Sequence, residues 1–379
     1  MTDRSATKIR VLFVNENIGG HATVHNHLRA GFRGHPRIDA SFLDVPPPGL
    51  LRRIVGVRVP GLARLDLDFQ PLRAQLALSY WVRRAVDRRR GTYDVLHVYT
   101  QNAALMLNND RPVIISTDTT NVHNAYRIPQ RTPTRFTPLS VALTKPIERR
   151  ALRRCAAVVA NSKWSRRSLE DDYQIPAKTL RTIPFGISGV QNQSLTTDRS
   201  DDQPTIGFVG RQFKAKGGDV LLDAYSRITG QAKLLIVSPE PVSTDQDVMI
   251  ASDLEPGDDR LWDLLGDCSI FAFPSPIDQA PNAVLEAMAA GLPVVAVDTG
   301  AVSEMVVHGT TGFLVQANDS NALHSALQRL VDDKVLRNEM GAAGRRRFEE
   351  RYDMSVAVEA LADLFQQVVA NPNQEGQLR

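Results

Sequence analysis

The chain has 379 residues, 42% hydrophobic and 23% charged, a balance that fits a soluble globular protein too long for one ordinary core. No run of about 18 apolar residues is present, which excludes a bilayer-spanning helix. The two cysteines, Cys155 and Cys268, are isolated, which excludes a disulfide scaffold and fits a reducing cytoplasm. The net charge of +3 conceals an asymmetry: residues 1–190 carry 30 Lys and Arg against 14 Asp and Glu, and the remainder 15 against 28. A basic half joined to an acidic half is expected to meet something anionic through its first half. No recognition helix, zinc spacing or aromatic-basic strand motif supports nucleic acid. An anionic membrane surface or a phosphorylated acceptor is the more economical partner.

The N-terminus leads into a strand, Ile9-Arg-Val-Leu-Phe-Val14, with no signal-peptide core before it, so a cytoplasmic protein is expected. Gly19 and Gly20 follow this strand and precede a helix near Ala22–Phe32. They permit close backbone approach at a strand-to-helix turn, although no dinucleotide fingerprint is completed. Further strands are predicted at Ala40–Leu43, Val95–Tyr99, Pro112–Ser116, Ala157–Ala160 and Thr179–Ile183. Helices are predicted near Pro71–Arg90, Pro146–Arg154 and Lys163–Tyr173. This alternation predicts a parallel sheet covered by helices.

Between Gly49 and Arg64 the chain is apolar and basic together, and residues 49–90 hold ten Arg and three Asp. Such a stretch suits either interfacial docking or a partly buried loop with snorkelling arginines. Asp66-Leu-Asp68 imitates a metal-binding triplet, but no buried strand precedes it, and no metal is expected. His97 is expected to be structural, and His123 a surface loop residue.

The polar, apolar-poor stretch ending at Pro204 reads as a linker, 191–204. A second alternating unit begins at Thr205-Ile-Gly-Phe-Val-Gly210. Strands are predicted at Ala232–Ser238, Asp247–Ala251, Ser269–Pro274, Pro293–Val297 and Gly312–Val315, with long helices from Asn321 onward. The expected architecture is α/β, with two Rossmann-like doubly wound domains facing across a cleft.

The most informative segment runs from Pro274 to Pro293. It places Asp278 and Glu286, with seven residues between them, around the start of a short helix. Pro281 suits the first turn, and Gly291 with Pro293 stops the helix. Glu286 then sits roughly 7–8 Å inside, at about 1.5 Å per residue. Free backbone N–H groups and the positive end of the dipole lie between the two acids and favour an anion. A nucleoside-diphosphate sugar matches that layout. Its pyrophosphate would meet the N–H groups, its ribose Glu286 and its sugar Asp278.

At these residues the chain resembles the retaining glycosyltransferases of family 4, which have the GT-B fold. That family carries two Glu separated by seven residues, followed by Ala-Met-Ala-x-Gly-x-Pro-Val-Val; here the tail is Glu286-Ala-Met-Ala-Ala-Gly-Leu-Pro-Val-Val295. Asp278 departs from the family's first Glu, keeping the charge with one methylene less reach. The resemblance implies that Arg211 and Lys216, five positions apart after Gly210, hold the donor diphosphate. It also implies that Gly19 and Gly20 lie beside that phosphate. Gly210, Ala280, Asn282, Ala283 and Val284 complete the donor set with Asp278 and Glu286. Val113-Ile-Ile-Ser-Thr117-Asp118 aligns with a family segment whose strand ends in His near the reacting sugar. Asp118 stands at that place as a candidate catalytic group; its other reading is a cap or Asx-turn ahead of Asn121.

The expected function is a retaining, metal-independent transfer of a hexose from a UDP- or GDP-sugar to a saccharide, lipid-linked or small-molecule acceptor, without a cofactor. Asp118, Asp278, Arg211 and Lys216 are the expected catalytic residues. Residues 1–190 would bind the acceptor and 205–355 the nucleotide sugar, with a helix over 356–379 packing back toward the first domain. The alternatives are a GT-B nucleotide-sugar epimerase or hydrolase, and a non-catalytic nucleotide-sugar or membrane-binding module.

Overall fold

The structure, a computed structural model, describes residues 8–16, 20–45, 54–55, 57, 70–127, 133–188, 203–254 and 257–371. Gly19, the Asp66/Asp68 triplet, the arginines at 52, 53 and 58, and all of the expected linker but 203 and 204 lie outside them. The described residues form two compact units. The first runs to Arg127, resumes through Gly186 and takes up the chain again from Met354; the second contains Ile187–Asp353.

The first unit holds a six-stranded parallel sheet of order β2-β1-β3-β4-β5-β6. Its strands are β1 (Ile9–Asn15), β2 (Ile38–Asp44), β3 (Val95–Tyr99), β4 (Val113–Thr117), β5 (Ala157–Ala160) and β6 (Leu180–Thr182). Runs such as Val11–Val14 and Ala157–Ala160 are buried along their whole length, because helices cover both faces of a parallel sheet. Helices α1 (Gly20–Gly31), α2 (Gln70–Asp87), α3 (Gln101–Ala104), α4 (Asn121–Tyr126), α5 (Thr137–Arg153) and α6 (Lys163–Asp171) alternate with the strands.

The helix expected to start at Pro146 in fact starts nine residues earlier, and Pro146 sits inside α5. Pro138 occupies the first turn, where a missing N–H costs nothing. An interior proline removes one intrahelical bond, and tertiary anchoring holds the helix across it. Glu148 on α5 is fully buried. It accepts from Gln101 Nε2 at 2.6 Å and from the Tyr173 hydroxyl, while the Asn121 N–H approaches at 3.4 Å. Burial pushes its carboxyl up to about 7 against these donors. One acid thereby ties α5 to α3, α4 and the end of α6.

The last helix among the described residues, Met354–Ala370, also belongs to the first unit. It lies against α1, where a Cβ on Gly31 would come within 2.7 Å of Val358. Phe365 reaches the sheet and meets Phe13 edge-on at 5.7 Å, a favoured aromatic geometry.

The second unit holds a parallel sheet of order β12-β11-β10-β7-β8-β9. Its strands are β7 (Thr205–Val209), β8 (Lys233–Val237), β9 (Met249–Ala251), β10 (Ile270–Phe273), β11 (Val294–Val297) and β12 (Gly312–Val315). Its helices are α7 (Gly218–Tyr225), α8 (Arg260–Gly266), α9 (Asn282–Ala289), α10 (Val302–Met305), α11 (Ser320–Asp332) and α12 (Lys334–Arg351). Helix Met354–Ala370 is then α13. Pro281, expected within the first turn of α9, stands one place earlier as its extended cap, with φ −76° and ψ 125°.

Candidate functional site

In the second unit, the loops leaving β7 and β10 meet beyond the carboxyl ends of their strands. Gly217 makes the approach close: its φ is +80°, and a Cβ there would lie 2.3 Å from the Pro274 carbonyl oxygen. Only glycine satisfies both the left-handed backbone and that distance. The contact sets Lys216 against Asp278, and their side chains form an ion pair. Ser275 is buried and donates to the other Asp278 oxygen at 2.5 Å, fixing the carboxylate from behind. Gly300, after β11, has φ +57° and lies so close to Gln279 that a Cβ would be 2.4 Å from its carbonyl oxygen. Ala301 N–H donates to that oxygen at 2.6 Å. The β10–α9 loop is thus held from both sides.

Helix α9 opens without a side-chain cap, since Pro281 offers neither an N–H nor a polar group. Val284 turns its side chain into the core, and its N–H donates to the Pro281 carbonyl oxygen at 3.2 Å. The open amides are those of Asn282 and Ala283, both half-buried, at the positive end of the helix. Ala280 is half-buried beside them. Glu286 lies in the second turn, and burial alone pushes its carboxyl up to about 7. That carboxyl has no protein partner among the described residues. A desolvated acid without a partner is costly, and hydroxyl donors from a ligand would relieve the cost. Gly210 leads to Arg211, which is exposed and makes no ion pair among the described residues. Lys214, beside it, uses its backbone N–H on Glu240 at 3.3 Å.

In the first unit, the carboxyl ends of β1 and β4 bring together three residues. His21, in the first turn of α1, has Glu16 Oε1 at 2.9 Å from Nδ1 and Asp118 Oδ2 at 3.3 Å from Nε2. Burial works against the charged ring, but hydrogen bonds to Asp118 and Glu16 prevail and raise His21 to about 10. With both ring nitrogens engaged by carboxylates, His21 acts as a cationic clamp rather than a proton acceptor. Asn15 Nδ2 donates to the His21 carbonyl at 2.7 Å, and Gly20 begins the same helix.

Asp118 does not cap α4. That role belongs to Thr120, whose hydroxyl accepts from the His123 N–H at 3.2 Å. His123, expected at the surface, is fully buried. Its Nε2 accepts from Arg127 at 2.9 Å, and its ring packs on Trp164 at 3.8 Å. Burial, then the neighbouring Arg127 charge, lowers it to about 4, so it is neutral and structural. His97 is buried against the Ser116 hydroxyl at 2.8 Å, and burial lowers it to about 3. Sequence reasoning missed Glu16 and His21. The available signal was an imidazole immediately after the Gly19-Gly20 turn, level with an acid ending another strand.

Two family models match the chain: "Glycosyltransferase Family 4" over residues 20–188 and "Glycosyl transferases group 1" over residues 203–333. Together they cover more than half of it. An alpha-D-kanosaminyltransferase of Streptomyces kanamyceticus is 24% identical over 65% of this chain and 69% of its own length. A GDP-mannose-dependent phosphatidylinositol monomannoside mannosyltransferase of Corynebacterium glutamicum is 31% identical over 44% of this chain. The chain spans about half of that relative, 48%, and 55% of the capsular polysaccharide glycosyltransferase CapM of Staphylococcus aureus. Sucrose-phosphate synthase from Thermosynechococcus elongatus shares the fold with a TM-score of 0.71 at 17% identity, over 96% of this chain and all of that one. HepE from Anabaena, solved with UDP-glucose, does so with a TM-score of 0.66 at 18% identity, over 95% of this chain and all of that one. The strand-by-strand architecture, the spaced acids at the start of α9 and the matches over both halves agree: the chain belongs to the family 4, group 1 glycosyltransferases of GT-B fold.

Proposed function

We propose that the protein transfers a hexose, with retention of configuration and without a metal, from a UDP- or GDP-sugar to a glycan, lipid-linked or small-molecule acceptor. The observation that carries this reading is the meeting of Lys216 and Asp278 beside the uncapped start of α9, with the Glu286 carboxyl, unpartnered among the described residues, one turn further in. Phosphate oxygens suit the open amides of Asn282 and Ala283, with Gly210 giving room and Arg211 and Lys216 giving charge. Ribose hydroxyls suit Glu286, and Ala280 and Val284 shape the wall. UDP-glucose in HepE and GDP-mannose in the Corynebacterium relative's name support this donor class.

In the reaction proposed, the bond between the anomeric carbon and the diphosphate oxygen breaks as the acceptor oxygen bonds to that carbon on the same face. The acceptor proton passes to the departing diphosphate. Arg211, Lys216 and the α9 amides stabilise the charge growing on that leaving group, which is electrostatic catalysis. Asp278 orients the sugar. Asp118, held by His21, is assigned to the positive charge developing on it. We place residues 205–355 in donor binding and 1–190 in acceptor binding, in the cytoplasm. No helix among the described residues is long and apolar enough to cross a membrane. Peripheral attachment to anionic lipid would use the basic first half, where α2 exposes Tyr80 and Trp81.

The test is a panel of UDP- and GDP-hexoses with candidate acceptors in EDTA, the anomeric configuration being read by NMR. Transfer with retention in chelator is expected. Loss of turnover restored only by Mn²⁺ or Mg²⁺, or an inverted product, would overturn the reading.

The role given to Asp118 predicts a second result. Asp118→Asn should lower kcat by about 10–100-fold with the nucleotide dissociation constant nearly unchanged, because size is kept and charge is lost; Tm should fall, since His21 loses one of its two carboxylates. His21→Gln should produce the same kinetic split, since the free carboxylate then loses its clamp, and should lower Tm as well. The unfolded imidazole titrates near 6.5 and the folded one near 10, so the clamp's stabilisation is complete below pH 6.5 and fades as pH rises through 10. Wild-type kinetics in Asp118→Asn would remove Asp118 from the reaction.

A further inference from the structure

At the opposite edge of the first sheet, where β4 and β5 begin, lies a cavity of about 660 Å³ that the transfer reaction does not use. The connection from α3 to β4 and the last turn of α5 enclose it. Among the described residues four arginines line it, Arg111, Arg150, Arg153 and Arg154, and no acid does, Asp110 standing beside Arg111 in the chain but outside the lining. All four are exposed. Arg153 donates to the Gln174 carbonyl at 3.2 Å, and none of the four makes an ion pair among the described residues. Asp94, the acid whose charge Arg111 feels, is already held by Arg10 at 2.7 and 3.2 Å. The carboxyl end of α5 attracts cations, but its partial charge of about one half cannot balance four guanidiniums.

Asn109 lines the cavity, and its Oδ1 accepts from the Tyr93 hydroxyl at 3.1 Å. This bond orients the amide and leaves Nδ2 buried without a partner among the described residues. Val113 and Cys155 also line it.

We propose that this cavity is a binding site for a phosphorylated ligand, with the arginines forking onto phosphate oxygens. A guanidinium matches phosphate with two parallel N–H donors. Four cations without a wall acid call for a dianion or more, which a phosphate monoester or diphosphate supplies and a single carboxylate does not. The site is separate from Asp118, which follows the far end of β4, about 16 Å away at ~3.3 Å per residue.

Pyrophosphate is the probe, titrated calorimetrically at 150 mM salt into the Arg211→Ala/Lys216→Ala protein, so that the donor site proposed above does not contribute. Stoichiometric binding is expected. Adding Arg150→Gln and Arg154→Gln should weaken it by at least about 100-fold, since two charge-assisted contacts are lost. Removing the same charge at exposed Arg167 and Arg346 should change it less than about threefold. Hydrogen exchange should slow on binding at 105–113 and 150–156. Flotation with vesicles of phosphatidic acid in phosphatidylcholine separates the sources. Pyrophosphate-competed flotation identifies a lipid headgroup, and pyrophosphate binding without flotation identifies a soluble phosphate. Absence of both, or equal losses from the two pairs of substitutions, would overturn the site.

Discussion

Lys216→Ala should lower kcat by about 10²–10³-fold while changing the nucleotide dissociation constant by less than about tenfold. The asymmetry follows from where charge grows. In the ground state the ammonium already faces Asp278, so a diphosphate gains only part of its field. When the sugar–oxygen bond breaks, negative charge accumulates on the leaving oxygen, and the same cation becomes worth more. Its removal also leaves Asp278 unneutralised, pinned by Ser275 at 2.5 Å, where it would repel the departing group. Asp278→Asn in the Lys216→Ala background should therefore recover part of kcat, and a double-mutant cycle would give a non-additive result. Strict additivity, or a loss confined to nucleotide affinity, would show that Lys216 serves ground-state binding alone.

Substitution of Glu286 should separate activity from stability. Glu286→Ala is expected to lower the donor kcat/KM by about 10–100-fold, from about 1.4–2.8 kcal/mol of lost charged hydrogen bonding. Glu286→Gln, which keeps the size, should at the same time make the protein more stable above pH 7. The unfolded carboxyl titrates near 4.5 and the folded one near 7, so between these values the folded state holds the extra proton. Wild-type stability then falls as pH rises from 4.5 to 7 and stays at the lower level beyond. Gln carries no charge and escapes that loss, worth about 1–3 kcal/mol. Tm of both proteins at pH 5 and pH 8, with donor kinetics at pH 8, checks this. A gain in stability with a loss of activity is the pattern of a residue kept for a ligand. Equal Tm at pH 8, or unaltered kinetics, would leave Glu286 as an ordinary helix residue.

Much of the fold was legible from local pattern. The strands at Val95–Tyr99, Ala157–Ala160 and Gly312–Val315 lie where the sequence places them, because short apolar runs flanked by turn residues have few alternatives when both faces are buried. One strand was less well bounded. The strand expected over Asp247–Ala251 starts only at Met249, where its pairing with β8 begins. Pro146 misled the reading of α5, because a lone proline signals a helix start only when tertiary contacts do not carry the helix through it. Here the buried Glu148 does so two residues later, with partners from Gln101, Asn121 and Tyr173.

By itself the sequence determined the family motif, the two alternating layers and the presence of Asp278, Glu286, Arg211 and Lys216 near strand ends, since these follow from short-range spacing and hydrophobic period. Tertiary structure alone decided which of them touch. The Lys216–Asp278 pair spans 62 residues and depends on Gly217 resting against Pro274. The Glu16–His21–Asp118 clamp joins α1 to a residue 97 positions away. The four cavity arginines were visible only as part of a basic half until β4, β5 and α5 converged. Charge and burial act through space, and a parallel sheet brings together the ends of strands that the chain keeps far apart.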